Sequence, residues 1–415
     1  MTKRHGYALL SAIIAVIVGL STAIYVGVAA DDGSTSTNAL GREGAPRNPA
    51  APASTGIWVG SWSASPAGAE PGTETFGMAG RSVRNVVHTS VGGTSARITL
   101  SNLYGRTALT VTHASIAVAV ASDTAAASAD TMRRLTFGGS TTVVVPAGQQ
   151  VLSDAVRIVI PEGSDVLVTT YSPSPSGPVT YHPHARQISY VAEGDLTEDV
   201  TGTGYTEQTP FWRYLTALDV LSNESDGTVV AFGDSLTDGI TSTQNANHRW
   251  TDVLSERLRT AIRSGQDLPR YSVVNEGISG NTTKDGVARL GHILALKPAV
   301  VVVEFGGNDG LRGLPIQDTR ANLDKIIATL KDGGAKVALA GISLPPDYGP
   351  DYIRQFDATY TVLAKKYNVP MLPFLLKGVY GVDGMMQADR THATAAGNKI
   401  VAENVLPLVL PLLKK

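Results

Sequence analysis

From Ile57 to about Leu221, apolar and polar residues alternate in short runs such as RSVRNVVHTSVGG, SARITLSNLYG and ALTVTHASIAVAVA. Gly-Gly, Asn and Gly interrupt these runs, and VVVPAGQQVLSDAVRIVI, DVLVTTYSP and QISYVAEGD continue in the same manner. Alternation with a period of two puts every second side chain on one face of a strand. Many short strands with frequent turn signals predict a β-sandwich or jelly roll over residues 57–222.

After Asp226 the texture changes. VVAFGDS, YSVVNEGISG, AVVVVEFGGND, KVALAGISLP and PMLPFL are compact apolar runs that end in glycine or polar residues. Helical patterns lie between them: HRWTDVLSERLRTAIRSG, DGVARLGHILALK, DTRANLDKIIATLKDGG and IRQFDATYTVLAKKY. Buried strands alternating with amphipathic helices predict a parallel sheet with helices on both faces, an α/β/α three-layer domain over residues 226–415. The closing AGNKIVAENVLPLVLPLLKK is expected to form a helix covering the edge of that sheet.

The amino terminus has a third texture. YALLSAIIAVIVGLSTAIYVGVAA carries no charge, with Lys3, Arg4 and His5 before it and Asp31 and Asp32 after it. A positive flank and an apolar core read as an export signal, and Val28 and Ala30 are small residues suited to cleavage. The run also exceeds the ~20 residues that span a bilayer. Residues 1–30 are therefore expected to be a signal peptide or a membrane anchor. The product would be secreted or held on the outer face of the cytoplasmic membrane. Residues 31–56, rich in Ser, Thr, Ala, Pro and Gly, read as a flexible linker.

Composition removes alternatives. A net charge of -2 gives no reason to expect a nucleic-acid partner. The chain has no cysteine, which excludes thiol catalysis, thiolate zinc sites and redox switching.

Candidate chemistry follows from the strand ends, because reacting groups of open α/β sheets gather there. The first run ends in GDSLTDG and offers Ser235; the second offers Gly280 and Asn281; the third offers Gly307, Asn308 and Asp309. After the last strand, ADRTHATAAG holds Asp389 and His392. These are the ingredients of nucleophilic acyl transfer. Ser235 needs a base, His392 can be that base, and Asp389 can hold its other nitrogen. The backbone N–H groups of Ser235 and Gly280 and the amide of Asn308 are candidate oxyanion donors, with glycine at 280 leaving room for the substrate carbonyl. Asp234, Thr237 and Asp309 read as supporting hydrogen-bonders. Taken singly, Ser235 and Gly280 could be turn residues, Asn308 a loop cap and Asp389 a helix cap.

Other residues receive plainer readings. Among eight histidines only His392 follows the last strand beside a carboxylate. His88, His113, His182 and His184 belong to the β region, and His248 and His292 to helices. His182 and His184 share a strand face, yet no third metal ligand is evident, so no metal and no cofactor is expected. Trp58, Trp62, Phe211 and Trp212 read as packing residues rather than a sugar platform.

The segments GDSLTDG, NEGISGNT, EFGGNDGLRG and DRTH, in this order and spacing, resemble the SGNH or GDSL hydrolases. GGNDGLRG, LPPDYGPDY, LAKKYNVPMLPFL and VYGVDGMMQAD are similar to the thioesterase/lysophospholipase branch. WVGSWSASP and VVHTSVGGTSARITLSN are similar to secreted two-domain GDSL esterases with an N-terminal β domain. The resemblance implies a flavodoxin-like fold, ester or thioester hydrolysis without a cofactor, and Ser235, Gly280, Asn308, Asp389 and His392 as functional positions. Ala393 follows the histidine where many relatives carry proline. The expected function is an exported serine esterase acting on lipid, carbohydrate or small-alcohol esters. An acyltransferase, or a polysaccharide-binding protein with an inert hydrolase domain, remains as the alternative.

Overall fold

The computed structural model describes residues 56–413; the expected export segment and, Gly56 apart, the expected linker lie outside the described residues. The alternating runs become antiparallel strands. One sheet orders Ile57–Ser63, Leu215–Ser222, Gly93–Ser101 and Val156–Ile160, with Gln150–Leu152 also paired to Gly93–Ser101. A second, six-stranded sheet contains Arg81–His88 flanked by Ser189–Glu193 and Asp165–Ser172. Alternation sets the inward faces: VRIVI at 156–160 is buried at every other residue. Val83 and Val87 from the second sheet and Ile98 and Leu100 from the first share one core.

The strands after residue 226 are parallel. Gly227–Gly233, Tyr271–Gly277, Val300–Glu304, Lys336–Ala340 and Met371–Leu372 form one sheet in the order second, first, third, fourth, fifth. This is the flavodoxin-like order, which places a crevice where the winding reverses, beside the first strand. Val229 to Phe232 and Val300 to Val303 are buried without alternation, because helices cover both faces. The fifth strand is shorter than PMLPFL suggests. Pro370 and Pro373 flank its two paired residues and lack the N–H a ladder needs.

The helices are Trp250–Arg263, Thr283–Ala295, Ile316–Asp332, Pro350–Tyr367 and Ala395–Leu413, with two short ones at Ser235–Asp238 and Gly307–Leu311. Local chemistry sets their ends. Thr282 and Asp285 cap the second long helix reciprocally, and Pro350 starts a helix that Asn368 ends in a left-handed conformation. The closing helix corrects the expectation that it covers a sheet edge. It lies across the third, fourth and fifth strands and against Trp250–Arg263. The reason is its apolar face, Val401, Ala402, Val405, Leu408 and Val409, which is buried in the α/β core.

The described residues on either side of residue 226 pack together within one compact unit, with Ile57–Ser63 against the strand Tyr271–Gly277. Register then levels the site. Gly233 pairs with Gly277 on one side and Glu304 on the other, so three strands end together. The loops carrying Ser235, Gly280 and Asn308 leave the sheet at the same edge.

Candidate active site

Ser235 is the first residue of the short helix that follows the first parallel strand. Its N–H therefore has no acceptor within the helix. Asp234 caps this helix, its carboxylate accepting from Leu236 N at 3.1 Å. The second strand reaches the same helix closely: a Cβ on Gly277 would collide with the backbone nitrogen of Asp238, so only glycine lets the two backbones meet.

The three residues expected to form a relay lie in hydrogen-bond contact. His392 Nε2 is 2.9 Å from Ser235 Oγ, and His392 Nδ1 is 2.7 Å from Asp389 Oδ2. The other oxygen of Asp389 accepts from the backbone N–H groups of Thr391 at 2.9 Å and His392 at 3.0 Å. Burial pushes the Asp389 pKa up, but the donors from the His392 ring and the two backbone groups outweigh it and hold the pKa below its ordinary value. Asp389 is thus a carboxylate at neutral pH.

Asn308 joins three loops. Its Nδ2 donates to Asp234 Oδ2 at 3.1 Å and to Asn281 O at 2.9 Å, so both amide hydrogens are engaged. Gly280 has φ +81°, and the nearest atom to a Cβ there would be Arg312 Nη2 at 3.6 Å. Within the protein, glycine is needed at 280 for its left-handed backbone rather than for space. Arg312 Nη2 donates to Gly280 O at 2.8 Å.

The supporting residues are placed as the sequence suggested, with additions. Thr237 Oγ1 donates to Glu304 Oε2 at 2.8 Å, and Asp309 accepts from Thr283 N at 2.9 Å. Glu304 itself was missed. It ends the third strand and is fully buried. Burial, reinforced by the neighbouring Asp234, raises its pKa well above the ordinary value. Burial also raises the pKa of Asp234, against donors from Leu236 and Asn308 and the nearby His392. The one signal in the sequence was a lone charge closing the apolar run VVVVE.

His182 reads in the sequence only as a β-region histidine beside His184. It is buried, and its Nε2 faces Asp238 Oδ1 at 3.2 Å. Trp62 and Trp212 pack edge to face at 4.7 Å, as residues of the core. A small cavity of about 10 Å³ opens beside Ser235 and His392, walled by Leu236, Trp250, Leu375 and Val401. Larger cavities of about 340 Å³ lie along the seam with the N-terminal sheets and touch none of Ser235, His392 or Asp389. Side-chain chemistry, rather than volume, marks the site.

A flavodoxin-like sheet with serine, histidine and aspartate in contact at its carboxyl edge is the layout of an SGNH hydrolase. Residues 231–400 match the GDSL-like Lipase/Acylhydrolase family. Esterase TesA of Pseudomonas aeruginosa is 43% identical over 187 residues, covering 45% of this chain and 89% of that protein. Thioesterase 1/protease 1/lysophospholipase L1 of Escherichia coli K12 is 36% identical over 186 residues, 45% of this chain and 84% of that protein. The arylesterase of Vibrio mimicus is 35% identical over 185 residues, 44% of this chain and 88% of that protein. The chain belongs to the GDSL-like lipase/acylhydrolase family and falls among its carboxylic ester hydrolases.

Proposed function

We propose that the protein is an exported serine esterase in which Ser235, His392 and Asp389 form the catalytic relay. Ser235 Oγ attacks the ester carbonyl carbon while His392 Nε2 takes its proton. The C–O bond to the alcohol then breaks, and His392 returns the proton to the departing oxygen, leaving an acyl-serine. Water attacks in the second half, again giving its proton to His392, and the acid leaves as Ser235 is restored. Asp389 holds the imidazole tautomer and stabilises the imidazolium. The backbone N–H groups of Ser235 and Gly280 and the Asn308 amide would receive the oxyanion, with Asn308 giving up one of its two bonds to do so.

The observation that carries this reading is the unbroken contact from Asp389 through His392 to Ser235 Oγ. Export rests on the charge-flanked apolar segment at residues 1–30, cleaved or retained as an anchor. The sheet-rich region 57–222 is read as a β-sandwich domain preceding the hydrolase. The test is turnover of p-nitrophenyl esters from acetate to palmitate, with Ser235→Ala as control. Loss of a triad nucleophile costs on the order of 10⁶ in turnover. A folded Ser235→Ala protein with wild-type rates would overturn the assignment.

A further inference from the structure

Asp238 closes the short helix that Ser235 opens, and it is 2% exposed. Its Oδ2 accepts from Ser279 N at 2.9 Å and Ser279 Oγ at 2.6 Å. Ser279 immediately precedes Gly280. One carboxylate therefore ties the nucleophile's helix to the loop that carries a candidate oxyanion donor. Its other oxygen faces His182 Nε2 at 3.2 Å. His182, 4% exposed, belongs to the strand Thr180–His182 of the sheet-rich region, 56 positions away.

The ring's other side is equally constrained. His182 Nδ1 lies 2.9 Å from the carbonyl oxygen of Ser65. A carbonyl only accepts, and so does an ionised carboxylate, so each ring nitrogen faces an acceptor oxygen. Burial raises the Asp238 pKa, but His182, Ser279 and Arg249 outweigh it and keep the group ionised. Ser65 is itself anchored: its hydroxyl donates to Glu276, the buried carboxylate on the second parallel strand. Arg289 Nη1 donates to Ser65 Oγ at 2.8 Å, and its Nη2 to Gly233 O at 2.9 Å. The backbone oxygen that orients His182 is thus fixed to the two strands that lead into Ser235 and Gly280.

We propose that His182 is a positioning residue for the hydrolytic reaction: from the sheet-rich region it clamps Asp238, which in turn sets Ser279–Gly280 against Ser235. The sheet-rich region is then part of the catalytic scaffold rather than an appended module. This rests on the proposed role of the Gly280 N–H, and its failure is separable from failure of that role. Removing an oxyanion donor outright costs about 10²–10³ in turnover. Displacing one costs part of that range and falls on kcat, because the charge it stabilises exists only in the transition state.

The test uses the full chain, p-nitrophenyl acetate, and a fluorophosphonate titration that counts competent Ser235 sites. Ser235→Ala is run first, since residual activity there would sink the esterase assignment itself and not the role of His182. His182→Leu removes both ring nitrogens at similar bulk, and His182→Gln restores an N–H at the reach of Nε2. The expected result is a kcat per titrated site about tenfold to a hundredfold lower in His182→Leu, with KM within about threefold. His182→Gln is expected to recover to within about fivefold of wild type. A His182→Leu protein with kcat within twofold of wild type overturns the proposal. So does equal loss in Leu and Gln, because a merely structural ring would not be rescued by a donor. Should His182→Leu fail to fold, Ser279→Ala carries the test, since it cuts one link between Asp238 and the loop. A lower kcat at constant KM supports the clamp, and an unchanged kcat overturns it.

Discussion

Replacing Asp389 by Asn should abolish most turnover while sparing the fold, and the geometry says why. Asp389 Oδ1 accepts two backbone N–H groups at 2.9 and 3.0 Å, whereas Oδ2 meets the His392 ring. In Asn, the amide oxygen must stay with the two backbone donors. Turning the NH₂ toward them would strand two N–H groups, at about 1–3 kcal/mol each. The NH₂ therefore faces His392 Nδ1, which must become an acceptor. The ring proton moves to Nε2, 2.9 Å from Ser235 Oγ, and the base is occupied where it should be free. The same substitution in a serine-protease triad costs on the order of 10⁴ in kcat, or about 5.4 kcal/mol of barrier. Initial rates with p-nitrophenyl acetate, normalised by site titration, measure the loss, and a thermal melt checks the fold. Asp389→Ala is the informative companion. It leaves Nδ1 open to water, so the ring can carry its proton there, and Ala should be no worse than Asn. A kcat for Asp389→Asn within tenfold of wild type would refute the tautomer argument. Clearly greater damage from Ala would shift the weight to the carboxylate's charge or to the loop bonds it makes.

Two further outcomes are expected. Asn308→Ala should lower kcat by about 2.7–4 kcal/mol of barrier with little change in KM. It should also lower the melting temperature, because Asp234 and Asn281 O each lose a donor; a turnover within a fewfold of wild type removes Asn308 from the oxyanion site. Glu304→Gln tests the raised pKa of this buried acid. The folded pKa of Glu304 lies above its ordinary 4.5, so wild type carries no ionisation penalty below that pH. It loses stability as pH rises above it, because only the unfolded chain can then ionise freely. Gln escapes this loss. Its stability relative to wild type, read from urea midpoints, should therefore increase from pH 4.5 to pH 8, and a constant difference would show that Glu304 is ionised in the fold.

Much of the site was legible because it lies in punctuation. Ser235, Gly280 and Asn308 each follow an apolar run that breaks into glycine and polar residues, and Asp389 stands three positions before His392. An apolar run long enough for a buried strand, closed by residues a strand disfavours, marks a sheet's carboxyl end. The order of those segments was enough to identify the family. The helices were legible for a similar local reason, since the capping at Thr282 and the stop at Asn368 involve near neighbours.

What only the tertiary structure decided concerns partners far apart in the chain. Ser63 meets Glu276 across 213 positions and His182 meets Asp238 across 56, both in buried surroundings. Alternation tells which side of a strand faces inward, but not which atom waits there, because that depends on how two sheets dock. Thus His182 read as an ordinary β-region histidine, and nothing local marked Asp238 as its partner. Glu304 closes the run VVVVE, and burial beside Asp234 raises its pKa well above the ordinary value. The closing helix formed where the sequence indicated, but its place across the third, fourth and fifth strands was set by packing. Local pattern determined the elements and the loops that carry chemistry. The protonation, pairing and rigidity of those loops came from desolvation and long-range contacts, which exist only once the chain has packed.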